Sequence, residues 1–232
     1  NKSKSASYIT YSKGNIVKKA VANIASLTEL DADYMAMDMT GDGVSEFVGM
    51  AETVCYINKL THNAYNDTYS LKPYLKTGKL NKEMYLFPND FNGDGKTDVL
   101  CYDQRRQWNI LISKGNDFAA PVSCTNTNLL RNITLNSKDR YRFSLRKMME
   151  PTVAIRTADF DGDGISDVGV FRNTGGNYYL QVGFLPYLKN EKTYDFSFIN
   201  RYYAQINYSH QTIHIGRFLP QENTTFISSL SR

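Results

Sequence analysis

The strongest constraint on the fold is an acidic nonapeptide that occurs three times, at residues 38–46, 90–98 and 159–167. Each copy begins and ends with an acidic residue and carries glycine at its fourth and sixth positions. A short run of β-favouring residues follows every copy. Turns repeated in this way between β-type runs are typical of an all-β repeat protein. We refer to the three copies as the first, second and third acidic loops.

A fourth unit, residues 217–225, keeps the frame of the nonapeptide but has lost its acidic residues. Phe218 is second in this unit, as Phe91 and Phe160 are in the second and third loops. Arg217 replaces the first aspartate and brings a positive charge of its own. We therefore predict that this unit binds no ion and that Glu222 compensates the charge of Arg217.

A second repeat lies outside the loops and defines the order of strands. Ser-Lys-Gly-Asn follows an alternating strand at residues 12–15 and again at 113–116, and residues 178–183 form a looser version. Each unit thus reads as strand, acidic loop, strand, turn, strand, and a more variable fourth strand. Four short antiparallel strands per unit of this length are typical of a propeller blade.

The predicted architecture is a single β-propeller domain over residues 1–232, with about four blade equivalents. In one version, residues 8–12 pair with residues 226–230 in a composite blade that closes a four-bladed ring without an open edge. In the other, the chain is part of a larger ring of seven blades. Residues 20–30 fit either a short amphipathic helix or an outer strand. The basic stretch 136–151 is predicted to be an extended hairpin or loop on the rim.

The loops carry oxygen donors in the arrangement that a hard cation needs. Ca²⁺ takes six to eight oxygen ligands, which alternate residues of a tight loop can supply. Positions 1, 3, 5 and 9 offer side-chain oxygens, and position 7 offers its backbone carbonyl. The candidate ligands are Asp38, Thr40, Asp42, Val44 and Glu46; Asp90, Asn92, Asp94, Lys96 and Asp98; and Asp159, Asp161, Asp163, Ile165 and Asp167. We predict up to three structural Ca²⁺ ions, with the Thr40 loop the weakest site.

Charge density favours ion sites over ordinary turns. Ten of the 23 acidic residues fall within the 27 loop positions, where their mutual repulsion needs compensation. An EF-hand is excluded because its twelfth position requires a bidentate carboxylate between two helices. Position 12 here is Gly49, Cys101 or Val170, and the flanking segments are β-type.

These loops and their spacing resemble the FG-GAP repeat, also called the VCBS repeat. It is the calcium-loop blade of integrin α-subunit propellers and of many secreted bacterial proteins. The second unit, residues 89–121, is also similar to the repeats that flank Rhs- and Tc-type toxin shells. The resemblance covers the whole chain in four units, of which the fourth is degenerate. It implies a β-propeller, structural Ca²⁺ and a binding or scaffolding role outside the cytoplasm, but no particular ligand.

The expected function is therefore a secreted or cell-surface, calcium-stabilised module that mediates protein–protein interaction or adhesion within a larger protein. A glycan-binding lectin domain is the first alternative, and a carbohydrate-active enzyme is the second. No nucleophile or phosphate-binding motif is present, so no catalytic residue is predicted. Of the three histidines, His210 and His214 flank an alternating strand and are interpreted as surface or packing residues.

Composition refines the expected partners. Outside the loops the sequence has 26 basic and 13 acidic residues. This excess permits binding to anionic glycans or nucleic acid, but we interpret it as a solvated surface and predict no nucleic-acid partner. Trp108 and the 17 tyrosines fit either blade cores or sugar stacking.

The remaining sequence signals concern membranes and cysteines. No apolar run reaches the ~18 residues of a membrane span, and the basic start is not followed by a signal-peptide core. No transmembrane segment or signal peptide is therefore predicted in this chain, and the expected location is extracellular. Cys55 and Cys101 are predicted to be small buried hydrophobes.

Overall fold

The structure of the chain is a computed structural model. The described residues are 6–12, 15–21, 33–50, 53–66, 68–81, 84–103, 107–125, 127, 153–174, 177–183, 187–188, 192–195, 211–216 and 225–230. Within them every regular element is a strand, which confirms the all-β prediction. The strands are β1 Ala6–Ser12, β2 Asn15–Val21, β3 Asp33–Met37, β4 Glu46–Met50, β5 Cys55–Asn63, β6 Thr68–Thr77, β7 Tyr85–Asn89, β8 Asp98–Tyr102, β9 Trp108–Leu111, β10 Val122–Thr125, β11 Val153–Ala158, β12 Asp167–Thr174, β13 Asn177–Gly183, β14 Tyr187–Leu188, β15 Thr193–Asp195, β16 Gln211–Gly216 and β17 Thr225–Leu230.

Backbone contacts divide the chain into two compact units, and the division passes through the first acidic loop. The first unit contains Asn1–Asp38 and Gly43–Lys82, and the second contains Met39–Asp42 and Glu83–Arg232. The first unit holds the antiparallel sheet β3-β4-β5-β6 and the hairpin β1-β2. A bulge lies between Ile57 and Asn58 in the long β5–β6 hairpin.

The second unit holds three sheets. One has the order β14-β15-β10-β9-β8-β7, one has the order β11-β12-β13, and the third is the hairpin β16-β17. Strands β7 to β10 pair antiparallel in chain order, as a four-stranded blade requires. An apolar cluster packs residues of the first two sheets together: Phe91, Leu100, Trp108, Ile110, Ile155, Val168, Val170 and Tyr194.

Each of the four nonapeptides connects the two strands of a hairpin, and the register is the same in all four. The residue before each nonapeptide pairs with its ninth residue: Met37 with Glu46, Asn89 with Asp98, Ala158 with Asp167, and Gly216 with Thr225. The frame inferred for the fourth unit is therefore confirmed at its two ends. Residues 217–224 lie outside the described part of the chain, so the predicted empty site at Arg217 and its pairing with Glu222 stay predictions.

In the repeat that contains the third acidic loop, the described residues form a sheet of three strands, β11, β12 and β13. The later strand β15 pairs parallel with β10. Tyr194 of β15 is buried in the apolar cluster. Burying this aromatic side chain gives β15 a physical reason to join the neighbouring sheet.

The terminal hairpins do not form the composite blade. In the sheets of the described residues, β1 pairs with β2 alone and β17 pairs with β16 alone. Pairing of residues 8–12 with 226–230 was required for the closed four-bladed ring, so that prediction is wrong for this structure. Each of these two terminal strands pairs with its neighbour in sequence, which costs less loop-closure entropy than pairing across the whole chain.

Two ambiguous segments are placed only in part. Ala20 and Val21 belong to β2, which favours a strand at the start of segment 20–30. Residues 22–30 and the basic stretch 136–151 lie outside the described residues, so the helix alternative and the rim hairpin are untested. No described helix is long and apolar enough to cross a membrane.

Candidate metal centre

The three acidic loops share one backbone conformation. Both glycines of every loop have φ between 75° and 88°: Gly41, Gly43, Gly93, Gly95, Gly162 and Gly164. A side chain is strained in this left-handed region, and glycine is not. Glycine at positions 4 and 6 therefore allows each loop to turn without strain at these residues.

The first aspartate of each loop binds the backbone amide five residues later. Gly43 N donates to Asp38 Oδ2 at 2.8 Å. The equivalent amide donates to Asp90 at 2.8 Å in the second loop and to Asp159 at 3.1 Å in the third. This repeated bond folds the chain back over its first carboxylate and brings the later oxygen donors near it.

The ninth residue of each loop is a buried acid. Asp98 is 0% exposed, and its carboxylate oxygens accept from Phe91 N at 3.0 Å and Ser113 N at 2.7 Å. Asp167 is 3% exposed and accepts from Phe160 N at 3.0 Å. These bonds tie the end of the loop to its second residue.

Ser113 is a site residue that the loop motif did not indicate. Its amide donates to Asp98, and its hydroxyl donates to the carbonyl oxygen of Met39 at 2.7 Å, within the second unit. The repeated Ser-Lys-Gly-Asn was the sequence signal for this position. It was interpreted as a strand end, although its serine also anchors the acidic loop.

Burial makes the ionised form of the ninth acids costly. It raises the pKa of Asp98 to about 7, against the hydrogen bonds from Ser113 and Phe91, and the charges of Asp94 and Asp90 add to the rise. Burial likewise raises the pKa of Asp167 to about 7, with smaller contributions from neighbouring loop carboxylates. A cation in the loop acts in the opposite direction on each group.

The third loop has the donor arrangement that best fits a cation. One carboxylate oxygen from each of Asp159, Asp161 and Asp167 lies within 4.8 Å of the others. Two oxygens that share a Ca²⁺ at 2.3–2.6 Å are separated by at most about 5 Å. These three side chains are therefore close enough to be candidate ligands of one ion. Asp163 lies in the same loop and accepts from Ile165 N at 2.7 Å.

The second loop has the same backbone but a different side-chain contact. Asp90 Oδ1 accepts from Gly93 N at 2.8 Å, and Asn92 Oδ1 accepts from Asp94 N at 2.9 Å. The Lys96 ammonium pairs with Asp94 at 3.0 Å on the exposed side of the loop. Exposed ion pairs of this kind are weak, so Asp94 can exchange this partner for a metal ion.

The first loop places its acids in different surroundings. Glu46 is 2% exposed and pairs with the Lys59 ammonium at 3.3 Å in the first unit. Among the described residues, the carboxylates that converge as a possible metal-binding group are those of the third loop, and the acids of the first loop form no such group.

Loop residues pack on one another in chain order within the second unit. A Cβ on Gly41 would lie 3.0 Å from Lys96 Cγ, and one on Gly93 would lie 3.3 Å from Ile165 Cγ1. In addition, Ser166 N donates to the carbonyl oxygen of Asp90 at 2.7 Å. The fourth position of one loop thus lies against the seventh position of the next.

The aromatic candidates have different environments. Trp108 is 4% exposed, and its ring centroid is 5.0 Å from that of Tyr102 and 5.9 Å from that of Phe87. Of the two alternatives left open for Trp108, the structure supports a core residue, since its side chain is buried and not available for sugar stacking. Tyr65 and Tyr74 are exposed, as is His62 on β5. His214 lies in β16, and His210 is outside the described residues.

Comparison with known proteins gives one informative likeness. No family model matches the sequence, and no curated protein matches it. The fold is similar to that of an Agrocybe aegerita lectin whose structure concerns specific recognition of non-reducing terminal N-acetylglucosamine. The TM-score is 0.51 and the sequence identity is 15%, with 84% of this chain and 45% of the lectin chain covered. At this identity the likeness concerns the fold, and this chain spans less than half of the lectin's length.

Proposed function

We propose that the chain is a non-catalytic, lectin-like module that binds glycans. The observation that carries this proposal is the fold shared with a glycan-recognising lectin over 84% of the chain. This likeness favours the glycan-binding alternative over the adhesion function that the repeat resemblance implies. Terminal N-acetylglucosamine is the first ligand to test, because the lectin structure concerns that sugar.

An exposed tyrosine in the first unit supports a sugar-binding surface. The Lys59 ammonium lies 4.7 Å from the centroid of the half-exposed Tyr74 ring. Aromatic rings pack against the C–H faces of sugars, while ammonium groups donate to hydroxyl or carboxylate oxygens. The surface around Tyr74 on β6 is therefore the proposed glycan surface.

The proposed architecture is a propeller built from FG-GAP-like blades. Two observations support it. The four loop-bearing hairpins have one common register, and consecutive loop segments pack by the same glycine contact. Blades arranged around an axis would bring equivalent loops next to one another in this way.

Calcium is the proposed structural ion of this module. Asp90, Asn92, Asp94 and Asp98 would hold it in the second loop with the Lys96 carbonyl, and Asp159, Asp161, Asp163 and Asp167 would do so in the third with the Ile165 carbonyl. When bound, the ion supplies positive charge that offsets the clustered carboxylates. A secreted or cell-surface location is part of the proposal, as the repeat resemblance implies.

Protein–protein adhesion remains a second candidate because of one exposed aromatic residue. Tyr65 is 99% exposed in the turn at the tip of the β5–β6 hairpin. A tyrosine presented in this way can act as an anchor in a partner's pocket. In this case the bound partner would be a protein rather than a glycan.

A glycan array followed by calorimetry tests the choice. We expect the full chain to bind glycans with terminal N-acetylglucosamine, and Tyr74→Ala to weaken binding by about tenfold. Tyr65→Ala is the matched control and should leave glycan affinity within about twofold. Failure to bind any glycan at millimolar concentration would reject the lectin proposal and leave adhesion as the stronger candidate.

A further inference from the structure

The ninth residue of the first loop has a cationic neighbour supplied by the chain itself. Phe47 of β4 pairs with Asn58 of β5, and one further step in this register sets Glu46 across from Lys59. The two side chains meet, with Lys59 Nζ 3.3 Å from Glu46 Oε1. Cross-strand neighbours of opposite charge stabilise a sheet at such a position.

A second contact holds the Lys59 ammonium in place. It lies 4.7 Å from the centroid of the Tyr74 ring on β6. The lysine side chain is 32% exposed, whereas the carboxylate that it meets is almost fully buried. The ammonium is thus fixed between a buried anion and an aromatic face, which restricts the freedom that weakens most surface ion pairs.

The corresponding position of the second loop carries no charge. Val99 pairs with Leu111, so the next step in this register sets Asp98 across from Ile112. Between these two described hairpins, the lysine lies across from the glutamate of the first loop and not from the aspartate of the second.

The first loop also differs at its third position. Thr40 replaces the amide or carboxylate that the other loops have there. A hydroxyl is a weaker ligand for a hard cation than a carboxylate. The loop with one fewer strong donor is therefore also the loop in which the ninth acid meets a fixed ammonium.

From these observations we infer that the Lys59 ammonium takes the place of a metal ion at the ninth position of the first acidic loop. The first loop is then folded without Ca²⁺, and cation dependence is confined to the second and third loops. This inference rests on the metal-binding part of the proposed function. The fixed ammonium also opposes a divalent cation beside Glu46 through like-charge repulsion.

Native mass spectrometry of the full chain at controlled free Ca²⁺ gives the first test. We expect two ions per chain, reduced to one by Asp163→Asn in the third loop. Asp42→Asn in the first loop is the matched variant and should leave two ions. Three ions in the wild type, with one lost in Asp42→Asn, would overturn the inference while the proposed calcium function stood.

Thermal unfolding in EDTA gives a second test that does not depend on metal binding. Lys59→Met keeps the aliphatic stem and should lower the midpoint by roughly 5 °C, because Glu46 is left buried without its partner. Lys59→Arg retains the charge and should stay within about 2 °C of the wild type. The loss in the Lys59→Met/Glu46→Gln double variant should be smaller than the sum of the single losses.

The two tests separate failure of the inference from failure of the proposed function. If the wild type binds no ion, the calcium function fails, and the double-variant cycle alone decides whether Lys59 compensates Glu46. Additive losses in that cycle, or an unchanged midpoint in Lys59→Met, would overturn the inference whatever the metal content.

Discussion

The first and third acidic loops have the same backbone turn but compensate their charge differently. In both, the first aspartate accepts from the amide of the sixth residue, and two glycines have positive φ. In the third loop, three carboxylates converge within 4.8 Å. In the first loop, the ninth acid instead meets the ammonium of Lys59. The residues that set the backbone shape of a loop therefore differ from the residues that surround its ninth acid.

This difference separates the residues that set the shape of a loop from those that neighbour its ninth acid. Glycine and the first aspartate organise the backbone through contacts inside the nonapeptide. The neighbour of the ninth acid comes from the next strand, outside the nonapeptide, and it is lysine in the first repeat and isoleucine in the second. The nonapeptide alone therefore does not specify the charge that its ninth acid meets.

Removing the ninth acid of the second loop should have the largest effect. Asp98→Ala leaves the buried amides of Phe91 and Ser113 without their acceptor, at about 1–3 kcal/mol for each amide. We expect a total loss of about 3 kcal/mol in the free energy of unfolding, measured by urea denaturation at fixed free Ca²⁺.

The matched control for this change is Asp98→Asn, which keeps one oxygen acceptor and should cost less. A loss below about 1 kcal/mol in Asp98→Ala would show that these amides find other acceptors. In that case the second loop would not be anchored by its ninth residue, and its contrast with the first loop would disappear.

Substitution of the second-loop glycines should have a smaller, graded effect. Gly93→Ala and Gly95→Ala both impose a side chain at φ near +80°, which costs about 1 kcal/mol. Only the Cβ at residue 93 would also meet the third loop, 3.3 Å from Ile165 Cγ1, whereas nothing lies within 4 Å of a Cβ at 95. We therefore expect Gly93→Ala to lose about 1 kcal/mol more stability than Gly95→Ala.

Urea denaturation of the two glycine variants side by side measures this difference. Equal losses would mean that the second loop does not pack against the third, and that the repeated contact between loops adds nothing to stability. A larger loss in Gly95→Ala would contradict the packing outright.

The sequence predicted the repeated parts of the fold because the determinants are local. Glycine spacing and the alternating runs beside each loop were enough to predict the four hairpins, including the degenerate unit closed by Gly216 and Thr225. Burial of Cys55 and Cys101 also followed from their apolar neighbours, and that burial raises the pKa of each thiol to about 12.

The features that the sequence did not predict depend on contacts between distant segments. β15 joins β10 because Tyr194 finds a buried position there, 70 residues from its partner Cys124. Lys59 was not recognised as a partner of Glu46, because the pairing depends on the register of β4 with β5. Periodicity within one strand carries no information about which residue lies across from it.

Substitution of Lys96 should have the smallest effect on stability. It contrasts with substitution of Lys59, the other lysine that pairs with a loop acid. Lys96 pairs with Asp94 at 3.0 Å, but both side chains are about one-third exposed. Lys96→Met should therefore change the free energy of unfolding by no more than about 0.5 kcal/mol. Chemical denaturation in EDTA, with Lys59→Met beside it, checks this. A loss in Lys96→Met as large as that in Lys59→Met would remove the distinction between the two lysines.

The central claim is that the second and third acidic loops hold structural calcium ions while the first does not. Anomalous diffraction from crystals grown in millimolar Ca²⁺ tests it most directly, because it locates each ion. We expect peaks 2.3–2.6 Å from the carboxylate oxygens of residues 90–98 and 159–167, and none at residues 38–46 beside the Lys59 ammonium. Absence of peaks at the second and third loops, or an equally strong peak in the first, would contradict the account.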